Sequence, residues 1–160
     1  MVSSIKKSHK AAIIAALLGA CACVGSEKSG YATFKHEAWL YTDTVALLPT
    51  DSCAKPAPTD IAIALRHSNG YAYSNLWVEL TYFKPEAYVP TRDTFNIVLA
   101  DDLGRWQGTG IGVDFQLVDT VMRGTIIDAA RPITLRHIMR TDSLPGIQQA
   151  AIIARPKLDI

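Results

Sequence analysis

Charge is scarce in this chain, and what there is nearly cancels. Asp, Glu, Lys and Arg make up 19% of 160 residues, 16 basic against 15 acidic. No basic patch is left to suggest a nucleic-acid partner. Cysteine is scarce too: of Cys21, Cys23 and Cys53, neither Cys23 nor Cys53 has a histidine or cysteine at metal-ligand spacing, so no metal site is implied. Strings that announce nucleophilic or metal-assisted chemistry, G-x-S-x-G and H-x-x-x-H, do not occur, and no catalytic residue or cofactor-binding residue is assigned. Amphipathic helical periodicity is missing beyond the first twenty residues, which leaves strands as the material of the fold.

An uncharged, mostly apolar run does occur, from Ala11 to Ala20 behind Lys6, Lys7 and Lys10. Ten residues cannot cross a hydrocarbon core about 30 Å thick, which takes about 20 helical residues. The run therefore reads as the h-region of a cleaved signal peptide, residues 1–20. The string Leu18-Gly19-Ala20-Cys21 resembles the bacterial lipobox. That resemblance implies cleavage before Cys21 and lipidation of its thiol; unmodified cleavage after Ala20 is the other reading. Several acyl chains, at about 0.8 kcal/mol per buried methylene, would hold the protein to a membrane leaflet. Cleavage removes three lysines and no acid, so the formal charge moves from +1 to −2. Ala22 stands where an inner-membrane retention aspartate would stand in enteric lipoproteins, so the outer membrane is expected. Acids are sparse near the anchor, which favours the periplasmic leaflet. Cys23 and Cys53 either pair in this oxidising compartment or stay as two thiols.

Residues 21–30, C-A-C-V-G-S-E-K-S-G, are small and polar and read as a flexible tether. Residues 31–160 form one domain by length. Its centre is the stretch from Asp60 to Lys84, in which Ile61, Ile63 and Leu65 alternate with Ala62, Ala64 and Arg66. Beyond Asn69-Gly70, Leu76, Val78, Leu80 and Tyr82 alternate with Trp77, Glu79, Thr81 and Phe83. Period two marks strands, and Asn-Gly suits a chain reversal, so an antiparallel pair is expected here. Further strands are expected at 31–35, at 45–48, around Phe95-Ile97-Leu99 and from Phe115 through Leu117 and Val121. Others should run along Ile133-Leu135-His137-Met139 and over 150–154, with Pro145-Gly146 in the order of a type II turn. About eight strands spaced by about 8 to 12 residues make an all-β fold, an antiparallel β-sandwich.

Five features invite a chemical reading. Gly108, Gly110 and Gly112 are followed by a strand rather than the helix a phosphate loop needs, so a loop or bulge with unusual backbone angles is expected. Asp101 and Asp102 stand before Gly104 and Arg105, as turn formers and arginine partners rather than a general acid and base. His137 alternates with apolar residues and is expected inside, hydrogen-bonded. Tyr71, Tyr73, Trp77 and Trp106 suit either burial or a platform for a sugar or peptide. Arg66, Arg105, Arg136 and Arg140 hold either an anionic partner or nearby acids.

The strings R-H-S-N-G-Y-A-Y-S-N-L, D-T-F-N-I-V-L-A-D-D-L-G-R-W-Q-G-T-G-I-G and I-M-R-T-D-S-L-P-G-I occur in that order behind the lipobox. The chain thereby resembles the gliding motility lipoproteins of the GldH type over nearly all of its mature length. The resemblance implies a non-enzymatic, lipid-anchored component of a cell-surface motility machinery, in contact with other envelope lipoproteins and with motility or secretion proteins. It brings no catalytic or cofactor residues. The expected contact surface comprises Tyr71, Tyr73, Asp101, Arg105, Trp106 and Arg140, if the loops carrying them gather at one end. The alternative is a glycan-binding β-sandwich lipoprotein that uses the aromatic rings.

Overall fold

The computed structural model describes residues 26–157. The signal peptide, the lipobox cysteine Cys21 and Cys23 lie outside the described residues; Cys53 is exposed. Among the described residues the chain makes eleven strands and one three-residue 3-10 turn at Lys35–Glu37. The strands are β1 (Lys28–Thr33), β2 (Ala38–Leu40), β3 (Val45–Leu47), β4 (Ala57–Ser68), β5 (Asn75–Tyr82) and β6 (Thr91–Val98), then β7 (Thr109–Ile111), β8 (Asp114–Ile127), β9 (Ile133–His137), β10 (Ser143–Pro145) and β11 (Ile147–Pro156). All pairings are antiparallel. One sheet runs β1-β11-β4-β8-β7, the other β3-β9-β5-β6, and β10 with β2 forms a two-stranded ribbon. The fold is thus an all-β antiparallel sandwich. Eight of its strands are those the alternation predicts, the three-residue β3 among them; β2, β7 and β10, also three residues each, were not expected from the sequence.

The inward faces are the alternating sets read from the sequence. Ile61, Ile63 and Leu65 of β4 and Leu76, Val78 and Leu80 of β5 are buried, as are Val45 of β3, Leu135 of β9 and Ile152 of β11. Trp39 of β2 is fully enclosed, stacked on Phe34 at 4.8 Å. Burial of these side chains, at about 25 cal/mol per Å² of apolar surface, is the main stabilising contribution.

The expected pairing of β4 with β5 does not occur. β4 is flanked by β11 and β8, and β5 by β6 and β9, so the chain passes from one sheet to the other across residues 69–74. Two strands that each bury one face can meet across a core as well as side by side, and sheets about 10 Å apart are within reach of such a link. Gly70 lacks the positive φ that a primed hairpin turn requires. Two further differences concern local register. β1 begins at Lys28 and pairs with β11 from Lys28↔Ala154 to Thr33↔Gln149, so the sheet takes up the last three residues of the segment read as tether. β8 shifts register twice against β4, near Ile61–Met122, and these bulges break the alternation that faded after Val121 in the sequence.

The register gives the sandwich two distinct ends. β1 enters at Lys28 and β11 leaves at Pro156 beside the start of β4, with the end of β5 joined there to β8 through the Asp128 N–H and the Phe83 carbonyl. The opposite end holds the end of β4 and the starts of β5, β8 and β11. At about 3.3 Å per residue the twelve residues of β4 separate the two by about 40 Å.

Candidate functional site

The loops that carry the six contact residues read from the sequence all lie at the end away from Lys28. Backbone bonds sew them together. Ser68 N–H donates to the Gly146 carbonyl and Gly146 N–H to the Glu37 carbonyl, Asn69 N–H to Val113, and both Leu99 and Ala100 N–H to Ser74. Gly146 follows Pro145 with φ 91°, the conformation that the third residue of a type II turn demands. His36 and Glu37 are also left-handed, at φ 55° and 52°, an arrangement that costs free energy in non-glycine residues and is held here by the Gly146 bond.

Asp101 organises its own loop. One carboxylate oxygen accepts the N–H of Leu103 and of Arg105, each at 2.9 Å, and the other accepts Arg105 Nε at 2.8 Å. The Arg105 N–H, then the guanidinium and the Leu103 N–H, hold the acid below the usual carboxylate range. The expectation of a turn former paired to Arg105 is thus met, and the carboxylate is already spoken for. Gly108 and Gly112 have φ of 87° and 68°, in keeping with a loop of unusual backbone angles, whereas Gly110 lies within β7 and has no positive φ; Gly112 opens the two-residue reversal between Ile111 and Asp114, which pair.

Aromatic rings run inward from this end. Tyr73 meets Tyr71 edge-on at 5.6 Å, Tyr71 lies 6.1 Å from His67, and His67 meets Trp106 at 4.6 Å and Phe115 at 5.7 Å. His67 is fully buried. Its Nδ1 lies 3.0 Å from the Ser68 carbonyl, so Nδ1 carries the proton and Nε2, which has no partner, is an unmet acceptor. Burial lowers its pKa and the Ser68 bond works weakly against that. His137, expected inside and hydrogen-bonded, is inside but has no hydrogen bond at either ring nitrogen. Trp39 and Tyr41 pack edge-on against it at 5.5 and 5.7 Å, and desolvation lowers its pKa, with the Trp39 and Leu40 carbonyls pulling the other way.

The six residues therefore divide. Tyr71 is 4% exposed and donates its hydroxyl to the Asn75 carbonyl; it supports the loops rather than meeting a partner, and burial raises its pKa. Trp106 is half-buried against His67 and Phe115, and so does not join Trp77 in a shared flat platform. Tyr73, Arg105 and Arg140 face solvent. Tyr73 and Arg140 line one open depression with Trp77, Ile138, Met139 and Thr141, where Tyr73 and Trp77 are 43% and 42% exposed. Trp77 and Met139 had no claim to this surface from the sequence beyond ring type and alternation. Trp77 is the outward residue of β5, and Met139 reaches it because the Ile138 N–H bonds the Trp77 carbonyl.

Among the described residues no three His, Cys, Asp or Glu side chains gather as metal ligands. The arrangement offers two half-exposed rings, a flexible thioether and a cation around a shallow depression, a chemistry suited to docking.

Comparison with known families gives a match to the GldH lipoprotein family over residues 27–152. No curated protein matches the chain. The matched span runs from the first residues of β1 into β11 and takes in every loop of the candidate surface. The chain belongs to the GldH lipoprotein family.

Proposed function

We propose that this lipoprotein is a non-enzymatic scaffold or assembly component of the gliding motility and associated protein-secretion machinery. In this reading it is held to the periplasmic leaflet of the outer membrane by lipid on Cys21. Family membership supports the assignment. The observation that carries the contact role is the placement of Tyr73, Trp77 and Arg140 around one depression, about 40 Å from the end where the chain enters at Lys28. A surface so placed faces away from the anchoring leaflet and toward other envelope lipoproteins and motility or secretion proteins. Crosslinking of intact cells followed by purification of the tagged protein should recover a reproducible set of envelope proteins. Recovery of lipid alone would sink the proposal, and mass spectrometry of the mature amino terminus tests the acylation of Cys21.

A second reading has one observation in its favour. Two half-exposed rings beside an arginine also suit a sugar, which stacks on the ring face and donates hydroxyls to the polar rim. A glycan array probed with the full chain separates the two, since the scaffold reading expects no glycan above background.

A further inference from the structure

The end at which the chain enters the sandwich carries a second exposed apolar surface. In the link between β5 and β6, Tyr88 is 96% and Val89 74% exposed. Adjacent large apolar residues in full contact with water need a reason. The link is not loose: Pro85 and Pro90 flank it, the Arg131 guanidinium lies 3.7 Å above the Phe83 ring, and Arg131 also donates to the Ala87 carbonyl. The same Arg131 borders a small apolar recess with Leu47, Leu48, Ile127 and Ile133, and Lys28 stands at its rim. Leu48, just past β3, is exposed as well. Lys55 and Lys84 extend from loops at this end, and neither they nor Lys28 has a carboxylate within 4.0 Å among the described residues. Glu27, Asp51 and Glu86 are the exposed acids nearby in sequence, and Glu27 is paired with Arg155.

Chain length says what lies opposite. Lys28 stands seven residue steps on from Cys21, and at about 3.6 Å per step that link reaches at most about 25 Å. An acylated Cys21 thus keeps this end, and not the one with Tyr73 and Arg140, within reach of the leaflet. We propose that this end rests on the phospholipid surface itself, with Tyr88 and Val89 entering the headgroup boundary and the lysines meeting phosphate. Tyrosine suits that depth because its ring is apolar and its hydroxyl stays wet. The contact fixes the orientation of the sandwich, so that the opposite depression is presented outward instead of swinging on a leash. This rests on the lipid anchor at Cys21.

The native tryptophans supply the control. Trp39 is enclosed, and Trp77 and Trp106 belong to the far end. The lipidated full chain is reconstituted into vesicles of phosphatidylethanolamine and phosphatidylglycerol with brominated acyl chains, and tryptophan emission is read. Native protein should float with the vesicles and keep its emission. Tyr88→Trp should add a component that shifts to the blue and is lost to bromine quenching, and the double variant Tyr88→Trp, Val89→Asp should float but lose that quenching. Flotation of Tyr88→Trp without quenching overturns the docking and leaves the anchor standing. Absence of flotation overturns both.

Discussion

Gly30 of β1 and Ala46 of β3 cross so closely that a Cβ on the glycine would stand 2.2 Å from the Ala46 carbonyl oxygen and 2.6 Å from the Leu47 Cα. Both neighbours are backbone, so no side chain can swing aside. The two sheets meet along this seam, and any residue larger than glycine must push β1 off β3. Gly30→Ala should destabilise the sandwich by about 1 to 3 kcal/mol, as overpacking does, lowering Tm by about 2–4 °C for each kcal/mol in a domain of this size. Gly70→Ala is the matched control. Its nearest atom is the Ser68 hydroxyl at 3.6 Å and its φ is not positive, so thermal melts followed by circular dichroism should show no loss there.

Two buried histidines give stability a pH dependence above the carboxylate range. Burial holds His67 and His137 below their ordinary pKa, so on acidification the unfolded chain takes up protons first, near pH 6.5. Their contribution is fully present above that pH and is lost as pH falls toward the folded values. Asp60, Asp101 and Asp114 are also depressed, by the Gly124 N–H, the Arg105 N–H and the Arg66 guanidinium respectively. Their contribution is lost only below about pH 4. A fall in Tm between pH 7 and 5 therefore reports the histidines. His137→Leu removes an imidazole with no hydrogen bond; it should flatten that fall and leave Tm at pH 8 unchanged or raised. A native Tm that stays level from pH 7.5 to 5 would contradict the assignment.

Gly146 and Gly104 separate the cost of a left-handed backbone from the cost of crowding. Both have positive φ, 91° and 75°. A Cβ on Gly104 meets nothing within 4 Å, whereas one on Gly146 would lie 2.9 Å from the Tyr71 N and Cα. Gly104→Ala should cost about 1 kcal/mol for its backbone alone. Gly146→Ala should cost about 2 to 4 kcal/mol and displace Tyr71 and the Tyr73 ring set against it. Urea denaturation of the two variants gives the difference, and equal losses would mean that the turn relaxes away from Tyr71.

The strands were legible because each long one buries a single face, so Ile61-Ile63-Leu65 and Leu76-Val78-Leu80 stand out as period two whatever lies beside them. What they pair with was not. Alternation says which side of a strand is dry but not whether the next dry strand sits beside it or across the core, and Asn69-Gly70 pointed to the wrong one of these. Tyr71 shows the same gap at the surface: its neighbour Tyr73 faces solvent while Tyr71 is enclosed by loops from β4, β5 and β10–β11, contacts that no local pattern encodes. Asp101 was legible because its partners lie within four residues. The depression was not, because Met139 reaches Trp77 from 62 residues away.

The depression itself can be tested without disturbing the fold. Tyr73, Trp77 and Arg140 are exposed, so Tyr73→Ala, Trp77→Ala and Arg140→Glu should each stay within about 1 kcal/mol of the native stability. If this surface seats a protein partner, its rings and arginine are the residue types that dominate such contacts, and truncation of one costs about 2 kcal/mol or more, roughly a 30-fold loss of affinity. The yield of crosslinked envelope partners should therefore collapse in Trp77→Ala and Arg140→Glu. Tyr31→Ala, which removes a still more exposed ring on the outer face of β1 in the other sheet, should leave it unchanged. Loss of partners in Tyr31→Ala with full recovery in Trp77→Ala would move the contact to the β1 side of the sandwich and leave the depression without a role.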